Sequence, residues 1–243
     1  MIKPMKQLFL QLLIGSMFMA VATTAIEAKA NYVPPEFQIT IETKGFPGGK
    51  ANLSSRIQAP PDMVWAAILD ANHHADVYPR ITRSFCMTEA SVTDTQKKGL
   101  RNGATVDRLY KKGKCNPPDM RKAGEVWSYS LFQEIDYPFP LSDRWMITNA
   151  ENDETQSAQG IFKQKGQLIY GRQDIYEFSL EASPHPKYPG QTYFKMYIWS
   201  DPGGFIPDWM IKQATKFIVS NHGTFLVKSS KIAHRKCKAT KFA

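Results

Sequence analysis

The chain has 243 residues, of which 42% are hydrophobic, and this is enough to bury a substantial core within one domain. It carries 31 lysines and arginines against 22 acidic residues, which gives a formal net charge of +9. The basic residues lie at predicted turns and near the C-terminus, without the interleaved aromatic side chains that single-stranded nucleic acid requires, so we expect no nucleic-acid partner. They form either a solvated surface or a patch that favours anionic membranes.

The first 30 residues have the layout of a secretory signal peptide. Lys3 and Lys6 precede an apolar run over residues 8–22, and small residues follow up to Ala30. A glycine and a serine interrupt this run, which makes it short for a membrane span. We therefore expect cleavage after Ala30 and export to the periplasm or the exterior; an uncleaved membrane anchor is the alternative.

The early part of the mature chain predicts two strands and two helices. Residues 37–41 and residues 51–57 alternate in polarity, as half-buried strands do. A helix opens at residues 59–62, where proline in the first turn costs no hydrogen bond. Residues 72–78 form a second short helix, which ends at Pro79 because the proline ring clashes with a continued helix.

From residue 81 to residue 200 the sequence changes to segments rich in Thr, Val, Tyr, Phe and Trp, separated by turn signals. The predicted strands are residues 83–93, 105–111, 125–134, 144–149, 174–182 and 192–200. Residues 157–170 fit neither a strand nor a helix clearly. At least six strands in succession predict one curved antiparallel sheet.

A long helix is predicted over residues 207–233, with an apolar stripe that begins at Met210 and Ala214 and continues through Phe217 and Ile218. This helix is the only long amphipathic element that could cover the apolar face of the sheet, so the chain is expected to be an α+β protein. We assign residues 31–49 to an N-terminal segment and linker, residues 50–235 to the folded domain and residues 236–243 to a basic tail.

The three cysteines, Cys86, Cys115 and Cys237, match no metal-binding spacing. In an oxidising compartment they could form one disulfide and leave one free thiol. Cys86 and Cys115 are a plausible pair because both flank the same predicted strand meander, but the spacing leaves the connectivity open.

No motif of an enzyme or a metal site is present. The sequence lacks G-x-S-x-G, H-E-x-x-H and a glycine-rich phosphate loop, and its five histidines fall in no nucleophile or metal pattern. We therefore expect no catalytic residue, no metal and no cofactor. His222 on the long helix would be the exception if it faced a cavity.

Two longer motifs lie at the expected ends of strands. Residues 137–144 read YPFPLSDR, and residues 201–209 read DPGGFIPDW. The first resembles the strand-turn-strand of the phosphatidylcholine-transfer branch of the START family of lipid-transfer domains, and the second resembles that family's junction between the last strand and the C-terminal helix. With the helix opening at residues 59–65, which is similar to the broader START-like superfamily, the resemblance extends from about residue 51 to residue 233.

The resemblance implies a helix-grip fold, in which a curved antiparallel sheet of six or more strands wraps around the long C-terminal helix, with two short helices after an early strand. Two positions depart from the sterol-carrying and phosphatidylcholine-carrying members. Trp145 stands where an Asp is frequent, and Lys212 stands where Asn is usual. The identity of the lipid therefore does not follow from the resemblance.

A cavity between the concave face of the sheet and the C-terminal helix is also implied, and the period of two along each strand selects its lining. In the last strand the wholly apolar face is expected to point inward. The predicted lining is Trp127, Tyr129, Ile147, Tyr176, Phe178, Phe194, Met196, Ile198, Met210, Ala214, Phe217 and Ile218. Arg144 is either a buried anchor paired with Asp143 or Glu134, or a contact to a polar head group.

These features together predict non-catalytic binding of one lipid or other hydrophobic molecule, with transfer between membranes. We expect a monomer that touches membrane surfaces transiently and opens at residues 72–78 and at the front of the C-terminal helix. One alternative is an enzyme of the aromatase or cyclase type that uses the same cavity, with His222, Arg144 or Tyr129 as the acid or base. Another is a structural or partner-binding role.

Overall fold

Eight antiparallel strands form one sheet in the computed structural model, which describes residues 37–78, 80–98, 115–137, 143–204, 206–207, 209–213 and 215–216. In chain order the strands are β1 (Phe37–Glu42), β2 (Gly49–Ile57), β3 (Ile81–Met87), β4 (Val126–Ile135), β5 (Arg144–Asp153), β6 (Phe162–Gly171), β7 (Ile175–Pro184) and β8 (Thr192–Asp201). Strands β3 to β8 form a meander, and β8 returns to pair with β2, so the order is β1-β2-β8-β7-β6-β5-β4-β3. The predicted α+β class and antiparallel sheet are confirmed.

The described helices lie before β3, between β3 and β4, and after β8. They are α1 (Pro61–Leu69), a 3₁₀ turn (Ala71–His73), α2 (His74–Val77), α3 (Glu89–Lys98) and α4 (Pro117–Met120). Residues 209–213 and 215–216 are also helical and are called α5. The two short helices predicted after the early strands are thus present. Within these described segments no helix has the length and apolar character needed to cross a membrane.

Helix α1 begins with proline and turns one apolar side toward the sheet. Pro60 is extended and Pro61 occupies the first turn, where its missing N–H leaves no hydrogen bond unmade. Trp65 is fully buried, and its ring stacks on Phe162 of β6 at 5.4 Å between centroids. This stacking fixes α1 across the face of the sheet that we call the inner face, defined by Phe194, Met196 and Ile198 of β8.

The strand predicted for residues 83–93 is wrong in its second half. Strand β3 ends at Met87, and α3 follows. Thr88 opens this helix: its hydroxyl accepts a hydrogen bond from the backbone N–H of Ser91 at 3.4 Å, and its carbonyl accepts one from the N–H of Val92 at 3.1 Å. Among the described side chains of α3, Val92 is the one aliphatic residue that is buried. Over these few residues the polar and apolar positions therefore alternate as they would in a strand.

The face opposite the inner face carries a second apolar cluster under α3. Its buried members are Phe85, Met87, Val92, Phe132 and Ile147, with Trp145, Ile169 and Tyr170 packed against them. The rings of Phe85 and Phe132 stack at 4.8 Å. The sheet is therefore covered on both faces at its β3–β5 edge.

Residues 157–170, which gave no clear pattern, form a 3₁₀ turn at Ser157–Gln159 followed by β6. Gly166 in the middle of β6 explains the weak signal, since glycine there interrupts the strand's alternation. The predicted strand at residues 105–111, the signal peptide and the long helix beyond residue 216 lie outside the described residues.

A disulfide joins Cys86 of β3 to Cys115, which precedes α4, with 5.2 Å between the two Cα atoms. Asn72 of the 3₁₀ turn bridges both half-cystines. Its amide nitrogen donates to the carbonyl of Cys115 at 2.8 Å, and its amide oxygen accepts from the backbone N–H of Cys86 at 2.9 Å. The disulfide thus binds α4, β3 and the approach to α2 into one unit.

Candidate functional site

A cavity of about 40 Å³ lies between the inner face of the sheet and the helices α1 and α2. It is lined by Ile68, His74, Tyr78, Tyr129, Leu131, Gln133, Gln164, Tyr176, Phe178, Leu180 and Met196. Pockets that hold small molecules in proteins usually measure about 300–1,000 Å³. A molecule that needs a pocket of that volume therefore enters only if side chains rotate or the helices move away from the sheet.

The apolar part of the wall depends on a glycine. The ring of Phe178 on β7 lies over Gly166 of β6, and a Cβ atom at position 166 would overlap that ring. Tyr176 packs edge-on against Phe178 at 5.9 Å between ring centroids. Because Gly166 has no side chain, the Phe178 ring can lie over it, and the cavity beside the ring stays open.

We expect Gly166→Ala to lower the free energy of unfolding by about 1–3 kcal/mol, because the added methyl group forces the Phe178 ring out of its place and into the cavity. Chemical denaturation of the purified variant measures this loss. The double variant Gly166→Ala/Phe178→Leu should recover part of it, since leucine lacks the ring atoms that overlap. A Gly166→Ala protein as stable as wild type would contradict the packing described.

A hydrogen-bonded chain of uncharged side chains reaches the cavity from the end of β5. The amide nitrogen of Gln164 donates to the Asn152 amide oxygen at 2.8 Å and to the Tyr129 hydroxyl at 3.3 Å. Burial raises the pKa of Tyr78, Tyr129 and Tyr176, so all three phenols stay protonated and neutral at physiological pH.

A second polar group lies where β5 begins and β8 ends. The Ser200 hydroxyl donates to the Gln173 amide oxygen at 3.0 Å, and the Gln173 amide nitrogen donates to the Tyr137 hydroxyl at 3.4 Å. Burial raises the pKa of Tyr137, while the hydrogen bond to Ser200 and the nearby charge of Arg144 act in the opposite direction. These residues close the inner face at the end that leads into α5.

Arg144 has a structural contact at that same end. Its Nε donates to the carbonyl of Pro202 at 2.9 Å, which ties the start of β5 to the junction after β8. Glu134, one of its two expected partners, pairs instead with Arg83 at 3.4 Å. The described geometry thus favours the anchor over the head-group contact.

The opposite end of the inner face contains a buried carboxylate that the sequence did not reveal. Glu154, just after β5, has no solvent exposure. Its Oε1 accepts hydrogen bonds from the indole N–H of Trp65 at 3.0 Å and of Trp127 at 3.2 Å, and its Oε2 accepts from Nε of Arg121 at 2.6 Å. Glu154 therefore joins α1, β4 and the segment after α4, and we call these four residues the Glu154 cluster.

Most of the predicted lining residues described by the structure lie on the inner face. Trp127, Tyr129, Tyr176, Phe178, Phe194, Met196 and Ile198 are all buried there, and Tyr129, Tyr176, Phe178 and Met196 border the cavity itself. Trp127 instead serves the Glu154 cluster. Met210 is half-buried on α5, while Ala214, Phe217 and Ile218 lie outside the described residues.

Ile147 requires a correction. It pairs with Phe132 across β4 and β5 and lies in the cluster under α3, on the face opposite the cavity. The lining residues not predicted from the sequence are Ile68, His74, Tyr78, Leu131, Gln133, Gln164 and Leu180. The period of two from Tyr129 would have given Leu131 and Gln133.

Helix α5 approaches the sheet at the start of β2. A Cβ atom on Gly49 would come within 2.6 Å of the Thr215 hydroxyl and 3.0 Å of Ile211 Cγ2. The absence of a side chain at Gly49 therefore lets α5 lie close to the inner face. No group of three or more potential metal ligands occurs among the side chains that the structure describes.

The backbone architecture matches solved lipid-transfer structures. The STAR-related lipid transfer protein from Xanthomonas axonopodis aligns with a TM-score of 0.54 and 13% identity, over 82% of this chain and 95% of that one. Human STARD10 aligns with a TM-score of 0.57 and 10% identity, over 88% of this chain and 77% of that one. The chain has a START-like helix-grip fold.

Sequence similarity points in the same direction over a shorter span. Mouse (Mus musculus) phosphatidylcholine transfer protein is 32% identical over 118 residues, which are 43% of this chain and 53% of that protein. The chain thus spans about half the length of the curated relative it matches. No protein-family model matches the sequence. At these levels of identity the START-like assignment concerns the fold.

Proposed function

We propose that this START-like chain binds one lipid or other hydrophobic molecule against its inner face and carries it between membranes. The observation that carries the proposal is the wall beneath α1 and α2, where aromatic and apolar side chains from three strands border a cavity without a single lysine, arginine or carboxylate among its described residues. The names of the similar proteins, phosphatidylcholine transfer protein and STAR-related lipid transfer protein, support the same class of ligand.

The energetics of burial favour this proposal. Each methylene group moved from water to an apolar wall contributes about 0.8 kcal/mol, so a long acyl chain supplies ample free energy to displace packed side chains. Access requires movement of the lid, which we define as residues 71–78. Its His74 Nε2 donates to the Ile68 carbonyl at 3.1 Å, and this hydrogen bond links α2 to α1.

We infer that the bound molecule leaves chemically unchanged. An enzyme of the cyclase type would need a group that exchanges protons inside the cavity. The phenol of Tyr129, one of the expected candidates, stays protonated because burial raises its pKa, and Arg144 holds the Pro202 carbonyl. His222 lies outside the described residues.

Export to an oxidising compartment is part of the proposal. Disulfides persist in the periplasm and outside the cell and are rare in the cytosol. The Cys86–Cys115 bond therefore supports the signal peptide expected at residues 1–30. N-terminal sequencing of the protein recovered from its native host tests cleavage after Ala30.

Native mass spectrometry after incubation with lipid vesicles tests the proposed function. We expect a one-to-one lipid adduct on the wild-type protein, and a reduced adduct on Gly166→Ala, in which the Phe178 ring occupies the cavity. The extracted molecule should have the mass of the lipid supplied. A protein that takes up no lipid from any vesicle, or one that returns a product of altered mass, would contradict the proposal.

Membrane contact is expected at α5. Trp209 is 64% exposed at the start of this helix, and Lys212 is exposed one turn later. An exposed tryptophan beside a lysine suits the interface of an anionic membrane, where the indole ring is buried among head groups.

We therefore expect Trp209→Ala to weaken binding to phosphatidylglycerol-containing vesicles about tenfold, as measured by co-sedimentation, while the melting temperature stays unchanged. Tyr188→Ala is the matched control, since Tyr188 is an aromatic residue with 43% exposure in the turn between β7 and β8. Equal losses in both variants would show that α5 has no special part in docking.

A further inference from the structure

The cavity wall contains a set of uncharged hydrogen-bonding groups. Among the described lining residues these are the hydroxyls of Tyr78, Tyr129 and Tyr176 and the carboxamides of Gln133 and Gln164. All five side chains can both donate and accept hydrogen bonds while they remain neutral. A wall made only to exclude water would not need them.

The phenols of Tyr129 and Tyr176 both belong to the cavity wall. The Tyr129 hydroxyl accepts from Gln164, but no described residue accepts its proton. The Tyr176 side chain is 2% exposed, and burial keeps its phenol protonated, so that it too can donate a hydrogen bond.

The hydrogen bonds of Asn152 and Gln164 determine whether the Tyr129 hydroxyl acts as a donor or as an acceptor in the cavity. Asn152 donates to the carbonyls of Trp127 and Ala150, each at 3.4 Å, so its amide oxygen is left to accept from Gln164. Gln164 uses its other amide proton on the Tyr129 oxygen. Tyr129 is thereby oriented as a donor whose natural acceptor is a group inside the cavity.

Resting on the proposed function, we propose that the molecule bound here is an uncharged lipid whose hydroxyl or carbonyl groups accept hydrogen bonds from Tyr129 and Tyr176. A buried phosphate would need a paired cation, because an unpaired charge in an apolar site is far more costly than an unpaired hydroxyl. The described wall provides neutral donors and acceptors and contains no lysine or arginine.

Among the lysines and arginines, Arg144 is the one to be considered, since it lies on the inner face two positions before Met146. It is half-buried, it does not border the cavity, and its Nε is bound to the Pro202 carbonyl. A phosphodiester would have to draw Arg144 from this junction. The two ligand classes therefore depend on different side chains, which makes them separable by mutation.

In the test, the purified wild-type protein is incubated with vesicles of phosphatidylcholine and phosphatidylglycerol that also contain a diacylglycerol and a long-chain alcohol. Native mass spectrometry then identifies the bound lipid. We expect an uncharged lipid to be bound. Tyr129→Phe and Tyr176→Phe, which keep the packing, should each lower its occupancy roughly 5–10-fold, as the loss of one buried hydrogen bond predicts.

The controls separate the possible failures. Tyr193→Phe, on the opposite face of β8, and Arg144→Gln should leave the occupancy of the uncharged lipid unchanged, with folding checked by thermal denaturation. A bound phospholipid whose occupancy falls in Arg144→Gln would overturn this inference and leave the proposed function standing. An uncharged lipid insensitive to both hydroxyl variants would overturn it as well, whereas absence of any lipid would overturn both.

Discussion

Replacement of Glu154 by leucine is expected to lower the free energy of unfolding by about 3–5 kcal/mol. The change leaves the indole N–H groups of Trp65 and Trp127 buried without an acceptor and removes the carboxylate that binds Arg121. Each unsatisfied buried donor costs about 1–3 kcal/mol, and loss of one partner from a buried ion pair is of similar or greater cost. Equilibrium denaturation with urea, followed by tryptophan fluorescence, measures the effect.

A surface glutamate provides the matched control. Glu125 lies 4.0 Å from Lys122, with both side chains more than half exposed. Glu125→Leu should change the stability by less than about 1 kcal/mol, since exposed pairs contribute little. If Glu154→Leu were no more harmful than Glu125→Leu, the Glu154 cluster would not be what secures α1 to the sheet.

Loss of the disulfide is expected to have the second largest effect, about 3–4 kcal/mol. The bond closes a loop of 29 residues, and the chain-entropy model assigns a stabilisation of this size to such a loop. Cys115→Ser and Cys86→Ser/Cys115→Ser should lose the same amount, because either change removes the whole cross-link. Chemical denaturation of oxidised and reduced protein measures it.

Reduction of the wild-type protein should reproduce the loss, and the same reductant should leave the double variant unchanged. Peptide mapping without reduction should recover the segments around Cys86 and Cys115 joined together. A map that joins Cys237 to either of them would show that the disulfide described here is not the one formed.

The errors at Ile147 and at residues 88–93 have one cause. Parity along a strand predicts burial correctly where one face is covered, as it does for Phe194, Met196 and Ile198 of β8. At Met146, Ile147 and Thr148 of β5 three consecutive side chains are buried, because α3 covers the second face. A strand predicted through residue 93 provides no helix to cover the second face, and Ile147 is then predicted on the inner face.

Other features could not have come from local patterns. Trp65 and Glu154 are 89 positions apart, and no periodicity relates them. Gln164 lies in the segment where Gly166 interrupts the alternation, so its place in the cavity wall was hidden. The START-like motifs, by contrast, predicted the helix-grip fold because they act through backbone geometry, which a short sequence specifies well.

The two ends of the lid are both fixed to the sheet. Asn72 holds one end to β3 and to the disulfide, and Arg80, beyond the other end, pairs with Asp136 after β4. A lid fixed at both ends does not swing on a hinge; it opens when its own helical turn breaks, which is a local unfolding event. Two rates should then depend on the same opening equilibrium: the exchange of backbone amide hydrogens in residues 74–78 and the release of a bound lipid. A substitution that speeds amide exchange should speed lipid release by the same factor.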